Sequence, residues 1–203
     1  MSNGDRFLED FRAAFMDERA ERRSRARLVA LAESEEILDV AYRTMESPLG
    51  PLLLAATSTG LVRVAFDRED HDAVLGRLAR DVSPRMLAAP RRLDLAARQL
   101  DEYFARKRKR FDLPIDLRLA RGFRRTVIAR LPEIPYGSTS SYAALAARAG
   151  NAAAVRAAAS ACSHNPLPLV VPCHRVVRSD GGIGEYLGGT DAKRALLAME
   201  ASA

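Results

Sequence analysis

The chain has 203 residues, of which 48% are hydrophobic and 29% charged, a composition typical of a folded protein rather than a disordered one. No apolar stretch reaches the ~18 residues of a membrane span, and residues 1–10 lack the apolar core of a secretory signal peptide. Two cysteines are too few for a disulfide framework. A cytoplasmic, reducing environment is therefore expected.

Charge is distributed unevenly along the chain. Lysine and arginine number 32 against 26 aspartates and glutamates, a net charge of +6. The last 88 residues hold 11 basic and only 6 acidic side chains. A basic region favours a polyanionic partner such as nucleic acid. A basic surface that serves only solubility is the alternative that charge alone leaves open.

The first half of the chain predicts a helical extension followed by an α/β region. Within residues 1–38, Phe7, Phe11 and Phe15 recur every four residues and define one apolar face of a charged helix. Three strands joined by Gly- and Pro-containing turns are then predicted at 37–45, 52–57 and 61–66. Helices are predicted at 70–80 and 91–108. An edge strand is predicted at 111–115, since its proline argues against a central strand.

Short helices are predicted after residue 116, at 122–131, 141–149, 152–163 and 191–199. Ser140 and Asn151 are the expected N-caps of the second and third of these helices. Gly150 lies in the turn between them, which makes a helix-turn-helix pattern. The third helix is nearly all alanine, and Arg156 is its only long polar side chain. Such a helix suits close approach to another backbone, or it is a core helix with an arginine reaching solvent.

Cys173 and His174 follow residues 169–171, which are predicted as a short buried strand. A cysteine thiol needs a neighbouring base or a positive field to react as a thiolate. Because adjacent strand residues point to opposite faces, a water bridging the thiol and the imidazole is expected. Glu200 is a candidate to orient the imidazole. A set of Cys, His and Glu also fits a cysteine hydrolase.

Several spaced segments resemble the O6-alkylguanine-DNA alkyltransferases. They are Ile134-Pro135-Tyr136-Gly137, Ser141-Tyr142, Ala154-Val155-Arg156-Ala157, Asn165-Pro166, Pro168, Pro172-Cys173-His174-Arg175-Val176, Tyr186, Gly188-Gly189 and Glu200. The resemblance covers about 39–203. It implies an α/β (α+β) fold with a small ribonuclease-H-like N-terminal domain at 39–115. A helical C-terminal domain with a winged-helix-like helix-turn-helix follows at 116–203.

The resemblance also implies direct-reversal DNA repair. The alkyl group of O6-alkylguanine, and of O4-alkylthymine, in duplex DNA would move to Cys173 in a single-turnover reaction, the methylated-DNA–protein-cysteine S-methyltransferase activity. Residue by residue, the family pattern assigns catalysis to Cys173, His174, Glu200 and Tyr142. It assigns base flipping and minor-groove contacts to Arg156, Tyr142, Ala143, Asn151 and Ser179. It assigns the base pocket and its hinge to Asn165, Pro168, Cys162, Tyr186 and Leu187.

No cofactor and no metal are implied, and the protein is expected to act as a monomer. Two positions depart from the family pattern. Leu187 stands where a small or polar residue is common, and it is expected to narrow the pocket. Cys162 stands where an apolar residue usually meets the base; a pocket-wall thiol is expected, with a second alkyl acceptor as the alternative. A non-catalytic sensor of alkylated DNA is the alternative function, although such proteins replace the nucleophile that Cys173 supplies.

Overall fold

The structure is a computed structural model that describes residues 20–202 except 22, 25, 33 and 36. The predicted apolar face at Phe7, Phe11 and Phe15 lies outside the described residues. The described residues between 20 and 34 are helical, and Val29 and Ala32 pack in an apolar cluster that reaches β1. No helix in the described part of the chain is long and apolar enough to cross a membrane.

A four-stranded sheet and two helices form the N-terminal region. In chain order they are β1 (Val40–Met45), β2 (Leu52–Ala56), β3 (Leu61–Phe66), α1 (His71–Asp81), β4 (Met86–Ala88) and α2 (Asp94–Phe104). The strand order is β3-β2-β1-β4, with β4 parallel to β1 and the other pairs antiparallel. The three predicted strands and the two predicted helices are confirmed. The short strand β4 had no predicted counterpart.

Strand β2 is the centre of this region, and all five of its residues are buried. Successive side chains of a strand point to opposite faces. Leu53 accordingly packs with Val74 of α1, whereas Leu54 joins Leu100 and Tyr103 of α2. The sheet is thus covered on both faces, which explains why β2 contains no charged residue.

The predicted edge strand at 111–115 is wrong. Pro114 has no amide hydrogen for a ladder, and the segment makes one isolated β-bridge, between Ile115 and Leu61. The Leu61 amide donates to the Pro114 carbonyl at 2.9 Å. Gly60 has φ +150°, and a Cβ there would lie 2.3 Å from the Pro114 oxygen. Only glycine allows the chain to pass this closely.

The C-terminal region is mostly helical. In chain order it contains α3 (Gly122–Arg130), β5 (Ser140–Ser141), α4 (Tyr142–Arg148), α5 (Val155–Ser163), β6 (Val176–Val177) and α6 (Thr190–Ala201). Both predicted caps are wrong by a few residues. Ser141 rather than Ser140 caps α4, because its Oγ accepts from the Ala144 amide. Helix α5 begins after Ala154, and Asn151 lies in the preceding turn.

One apolar core runs through both regions. It contains Leu54 of β2 and Leu100 of α2 together with Ile128 of α3, Ala158 of α5 and Cys173. The predicted α+β arrangement, a sheet region followed by a helical region, is confirmed. The shared core fixes the two regions against each other at the place where the candidate site lies.

Candidate active site

Cys173 and His174 lie in a single 3-10 turn, Cys173–Arg175, which precedes β6 and does not follow the strand predicted at 169–171. Residues 169–171 form a turn in which the Val171 amide donates to the Leu167 carbonyl. Leu169 has a φ of +73°, a left-handed conformation that a strand does not adopt. The turn buries all three side chains of its Cys-His-Arg sequence.

Glu200, near the end of α6, is the centre of a buried polar network. Its Oε1 lies 2.9 Å from Nε2 of His174 and accepts from the Tyr103 hydroxyl at 2.6 Å. Arg175 donates to both carboxylate oxygens, at 2.8 and 3.0 Å. The Gly137 amide donates to Oε2 at 3.2 Å. Every lone-pair direction of the carboxylate therefore faces a donor.

The network fixes the charge of Glu200. Burial by itself would raise the pKa of this carboxyl, but hydrogen bonds from His174, Arg175 and Tyr103 outweigh it and hold the pKa well below its ordinary range. The carboxylate is thus ionised at neutral pH. Its charge is compensated by Arg175, whose guanidinium also donates to the Ile134 carbonyl at 2.7 Å.

His174 is held in one tautomer. Burial lowers its pKa, and the Glu200 carboxylate only partly opposes that shift, so the imidazole is neutral at neutral pH. Because a carboxylate can only accept, Nε2 carries the hydrogen. Nδ1 then carries the lone pair, and this buried atom has no hydrogen-bond partner among the described residues. His174 is thus a base with its accepting nitrogen free.

The Cys173 thiol is protonated in the resting protein. Burial raises its pKa to about 11, while a hydrogen bond from Asn165 and the charge of Lys193 act in the opposite direction. Lys193 is fully buried and donates to the Val176 carbonyl at 2.6 Å. A thiol of this kind reacts only if a base removes its proton at the time of reaction.

Asn165 lies between α5 and the Cys-His turn, at the start of residues 165–171, the active-site loop. Its Nδ2 donates to the Val171 carbonyl at 2.8 Å, and its Oδ1 accepts from the Leu167 amide at 3.0 Å. The fully buried amide thus closes the active-site loop on itself. Pro168, predicted to line the pocket, is a buried residue of this loop.

Tyr186 and Leu187, both predicted to line the base pocket, lie in the loop before α6. Tyr186 is buried, its ring packs edge-on against His174 with centroids 6.1 Å apart, and its hydroxyl lacks a partner among the described residues. Leu187 is half-buried and lines, with Tyr186, a cleft of about 440 Å³. Cys173 and His174 do not line this cleft, and the Tyr186 hydroxyl and His174 Nδ1 are buried polar atoms without a partner among the described residues.

Tyr142 and Cys162 complete the predicted pocket. Tyr142 is the first residue of α4, and burial raises the pKa of its phenol to about 12. Its ring lies 5.8 Å from the Lys193 ammonium, a cation–π distance. Cys162 is a buried residue of α5, and burial raises the pKa of its thiol well above the ordinary value. Both side chains are neutral at neutral pH.

The predicted DNA-contacting residues lie on the surface of the helix-turn-helix and of a nearby loop. Arg156, Ala143, Asn151 and Ser179 are all exposed. Arg156 is the second residue of α5 and makes no hydrogen bond or ion pair with another described residue. No acidic residue occurs between Glu133 and Asp180 in the sequence. The helix-turn-helix segment itself therefore carries no negative side chain.

Sequence reasoning missed three members of the site, namely Tyr103, Arg175 and Lys193. Arg175 could have been found, because it stands beside His174 in the motif. Tyr103 comes from the other region of the fold, and no local pattern connects it to Glu200. Lys193 has the appearance of an ordinary basic residue of an amphipathic helix. The described residues contain no group of three His, Cys, Asp or Glu side chains able to hold a metal ion.

Comparison with known proteins agrees with this geometry. Residues 40–117 match the ribonuclease-like domain of 6-O-methylguanine DNA methyltransferase, and 122–202 match its DNA-binding domain. The methylated-DNA–protein-cysteine methyltransferase of Mycolicibacterium paratuberculosis is 38% identical over 161 residues, 79% of this chain and 92% of that protein. The constitutive enzyme of Bacillus subtilis is 36% identical over 78% of this chain and 94% of its own.

Solved structures lead to the same family. A crystal structure of the Mycobacterium tuberculosis O6-methylguanine methyltransferase has a TM-score of 0.70 and 37% identity, covering 80% of this chain and 93% of that one. The M. tuberculosis protein in complex with DNA has a TM-score of 0.67, with the same identity and coverage. The resemblance identified from the motifs is confirmed, and the chain belongs to the 6-O-methylguanine DNA methyltransferase family.

Proposed function

We propose that this protein repairs O6-alkylguanine in duplex DNA by transferring the alkyl group to its own Cys173. The observation that carries the proposal is the buried Cys-His turn, in which a neutral thiol lies next to a histidine that an ionised Glu200 holds in the accepting tautomer. Relatives named methylated-DNA–protein-cysteine methyltransferases support the same reaction. O4-alkylthymine is proposed as a second substrate.

The chemistry begins with proton removal. Nδ1 of His174 accepts the Cys173 proton through a water molecule, and Glu200 stabilises the imidazolium that forms. The thiolate then attacks the alkyl carbon, a carbon–sulfur bond forms, and the carbon–oxygen bond to guanine breaks. The phenol of Tyr142 remains protonated at neutral pH because its pKa is about 12. It can therefore donate a proton to the departing base.

The product explains why the protein acts once. A thioether has no hydrolytic route back to the thiol, so each chain accepts one alkyl group. No cofactor is needed in this scheme, because the thiol is both nucleophile and acceptor. Asn165, Pro168, Cys162, Tyr186 and Leu187 are proposed to shape the base pocket. Cys162 is proposed as a wall of that pocket rather than as a second acceptor.

The exposed face of the helix-turn-helix is proposed to bind the minor groove. Helix α5 presents small side chains there, which suits a narrow groove, and Arg156 would take the place of the extruded base in the stack. Ala143, Asn151 and Ser179 are proposed to contact the backbone. The absence of acidic residues between Glu133 and Asp180 supports this assignment.

The remaining proposals concern organisation. Residues 39–115 and 116–203 are proposed as the two domains, with 1–38 as an extension. The family matches at 40–117 and 122–202 support this division. The protein is proposed to act as a monomer in the cytoplasm, where a free thiol stays reduced.

The test is an intact-mass measurement after mixing the protein with duplex DNA that contains O6-methylguanine. The expected result is a gain of one methyl group per chain, on the Cys173 peptide, with no gain in Cys173→Ser. Cys162→Ser is the matched control and should gain the methyl group normally. Tight binding of the lesion without any gain in mass would instead favour the alternative, a sensor that flips the base.

A further inference from the structure

The outer edge of β3 faces the active-site loop. The Val64 amide donates to the Pro166 carbonyl at 2.9 Å. Nη1 of Arg63 lies 3.4 Å from the Asn165 carbonyl, to which it donates. The loop that leads to the thiol thus hydrogen-bonds to the edge strand β3 of the N-terminal region. The two regions therefore meet through backbone groups as well as through apolar side chains.

Arg63 is itself held in place. Its guanidinium forms an ion pair with Glu69, and both side chains are only 13% exposed. The other carboxylate oxygen of Glu69 accepts from the Phe66 amide at 2.9 Å. Glu69 belongs to the short 3-10 turn that follows β3. The turn therefore fixes the carboxylate, and the carboxylate fixes the guanidinium that reaches the loop.

The contact continues from Asn165 to the thiol. The Val171 carbonyl accepts both from the Asn165 side chain and from the Cys173 amide, each at 2.8 Å. A displacement of Asn165 would therefore move the carbonyl that holds the Cys173 backbone. Space for such a displacement exists, because Arg63 and Pro166 line a cleft of about 350 Å³ between the two regions.

We propose that Arg63, held by Glu69, is a positioning residue for alkyl transfer. It anchors the backbone of Asn165 and so keeps Cys173 aligned with the base pocket, without touching DNA or substrate. The inference rests on the proposed function and extends it to the N-terminal region. Positional errors of about 1 Å at a reacting atom can slow a reaction ~100-fold, so this anchor affects the rate.

The test compares Arg63→Met with Arg77→Met. Arg77 lines the same cleft, so the control removes the same charge from the same place. Single-turnover methyl transfer is measured at saturating duplex DNA, and DNA affinity is measured separately. We expect Arg63→Met to lower the saturated rate about tenfold with affinity within about twofold of the starting protein. Arg77→Met should keep both values.

A second variant is the control for any effect of Arg63→Met on stability. Arg63→Met leaves the buried Glu69 without its counter-charge, which by itself destabilises a protein. The double variant Arg63→Met/Glu69→Gln removes that charge, and its saturated rate should be lowered equally. Hydrogen exchange of the peptide spanning 165–173, in the protein without DNA, should be faster in both variants than in Arg77→Met.

Three outcomes would overturn the inference. One is an unchanged saturated rate in the double variant. Another is a loss of affinity at an unchanged saturated rate, which would make Arg63 a phosphate contact. The third is unchanged hydrogen exchange at 165–173. Absence of methyl transfer in the starting protein would refute the proposed function instead, and the exchange measurement would still show whether Arg63 holds the loop.

Discussion

The two halves of the candidate site are built in opposite ways. The network around Glu200 is buried, and its carboxylate is saturated with donors from His174, Arg175 and Tyr103. The helix-turn-helix face presents Arg156 to solvent, with no hydrogen bond or ion pair to another described residue. Under the proposed roles, the groups around Glu200 are in place before DNA binds, whereas Arg156 would obtain its partners from DNA.

The largest effect is expected in the buried network, from Glu200→Gln, which keeps the shape of the side chain and removes its charge. General base catalysis is worth about 100-fold or more, so the saturated transfer rate should fall at least that far. Arg175 then loses its counter-charge, and the free energy of unfolding should fall by about 3–5 kcal/mol. Single-turnover kinetics and urea unfolding measure the two effects.

A matched control lies on the same helix. Asp191→Asn removes a carboxylate from an exposed pair with Arg194, and exposed pairs contribute little. It should change neither rate nor stability. If Glu200→Gln transferred methyl groups at the normal rate, His174 would not need the carboxylate, and the buried network would be purely structural.

The role of the helix-turn-helix face is tested with Arg156→Ala. Flipping a base costs a few kcal/mol, so loss of the side chain proposed to fill the gap should slow repair of a paired lesion about tenfold or more. Repair of the same lesion in single-stranded DNA should change little, and the melting temperature should not change. Arg148→Ala, on the neighbouring helix, is the control. An equal loss on both substrates would contradict a role in flipping.

The pH dependence of stability sharpens the comparison, since His174 and Glu200 of the buried half both have shifted pKa values. The folded pKa of His174 lies below the ordinary 6.5, so the unfolded chain binds more protons and stability falls as the pH drops through 6.5. The folded pKa of Glu200 lies below 4.5, so its contribution is present above 4.5 and is lost as the pH falls further. Each group contributes a slope of about 1.4 kcal/mol per pH unit between its two pKa values.

Urea unfolding at a series of pH values measures this dependence. His174→Asn should remove the loss of stability that begins at pH 6.5, and Glu200→Gln should reduce the loss below 4.5, to which Asp39 and Asp116 also contribute because their pKa values are lowered too. His164→Gln changes an exposed histidine and should leave the profile unchanged. A His174→Asn profile that overlays that of the starting protein would show that the buried imidazole is not the group responsible.

The smallest expected effect is at the boundary between the two halves, where Leu187 is proposed to narrow the pocket. Leu187→Ala should raise the rate with O6-benzylguanine several-fold relative to O6-methylguanine, because a larger group then fits. Competition between the two lesions measures the ratio. Leu95→Ala, an exposed position on α2, is the control. A starting protein that already reacts equally with both lesions would show that Leu187 does not restrict the pocket.

The fold was largely predictable because its signals are local. The alternation of side chains in β1 to β3 and the turns marked by Gly and Pro are patterns that extend over only a few residues. The errors have physical causes. At 111–115 a proline removed the ladder, and at 169–171 the positive φ of Leu169 and the hydrogen bond from the buried Asn165 hold a turn where apolar composition favoured a strand. The first cap moved by one residue because two serines are adjacent, and α5 begins after Ala154 without any side-chain cap.

Only those residues of the candidate site that belong to recognisable sequence motifs could be predicted. Cys173 and His174 are adjacent in sequence, and Glu200 follows within the same helical region. Tyr103 is 97 residues from the carboxylate to which it donates, and Arg63 is 102 residues from the Asn165 carbonyl. Contacts between residues so far apart in the sequence arise from the packing of the two regions. Neither the periodicity nor the composition of the sequence predicts them.

The hydrogen bond between Tyr103 and Glu200 also bears on the timing of synthesis. While the chain is being made, the thiol at position 173 leaves the ribosome before the carboxylate at position 200 does. Until that carboxylate reaches Tyr103 and His174, the imidazole is not fixed in its accepting tautomer. A chain that ends before residue 200 lacks the carboxylate that holds this tautomer, so we expect it to lack the oriented base that removes the proton of Cys173.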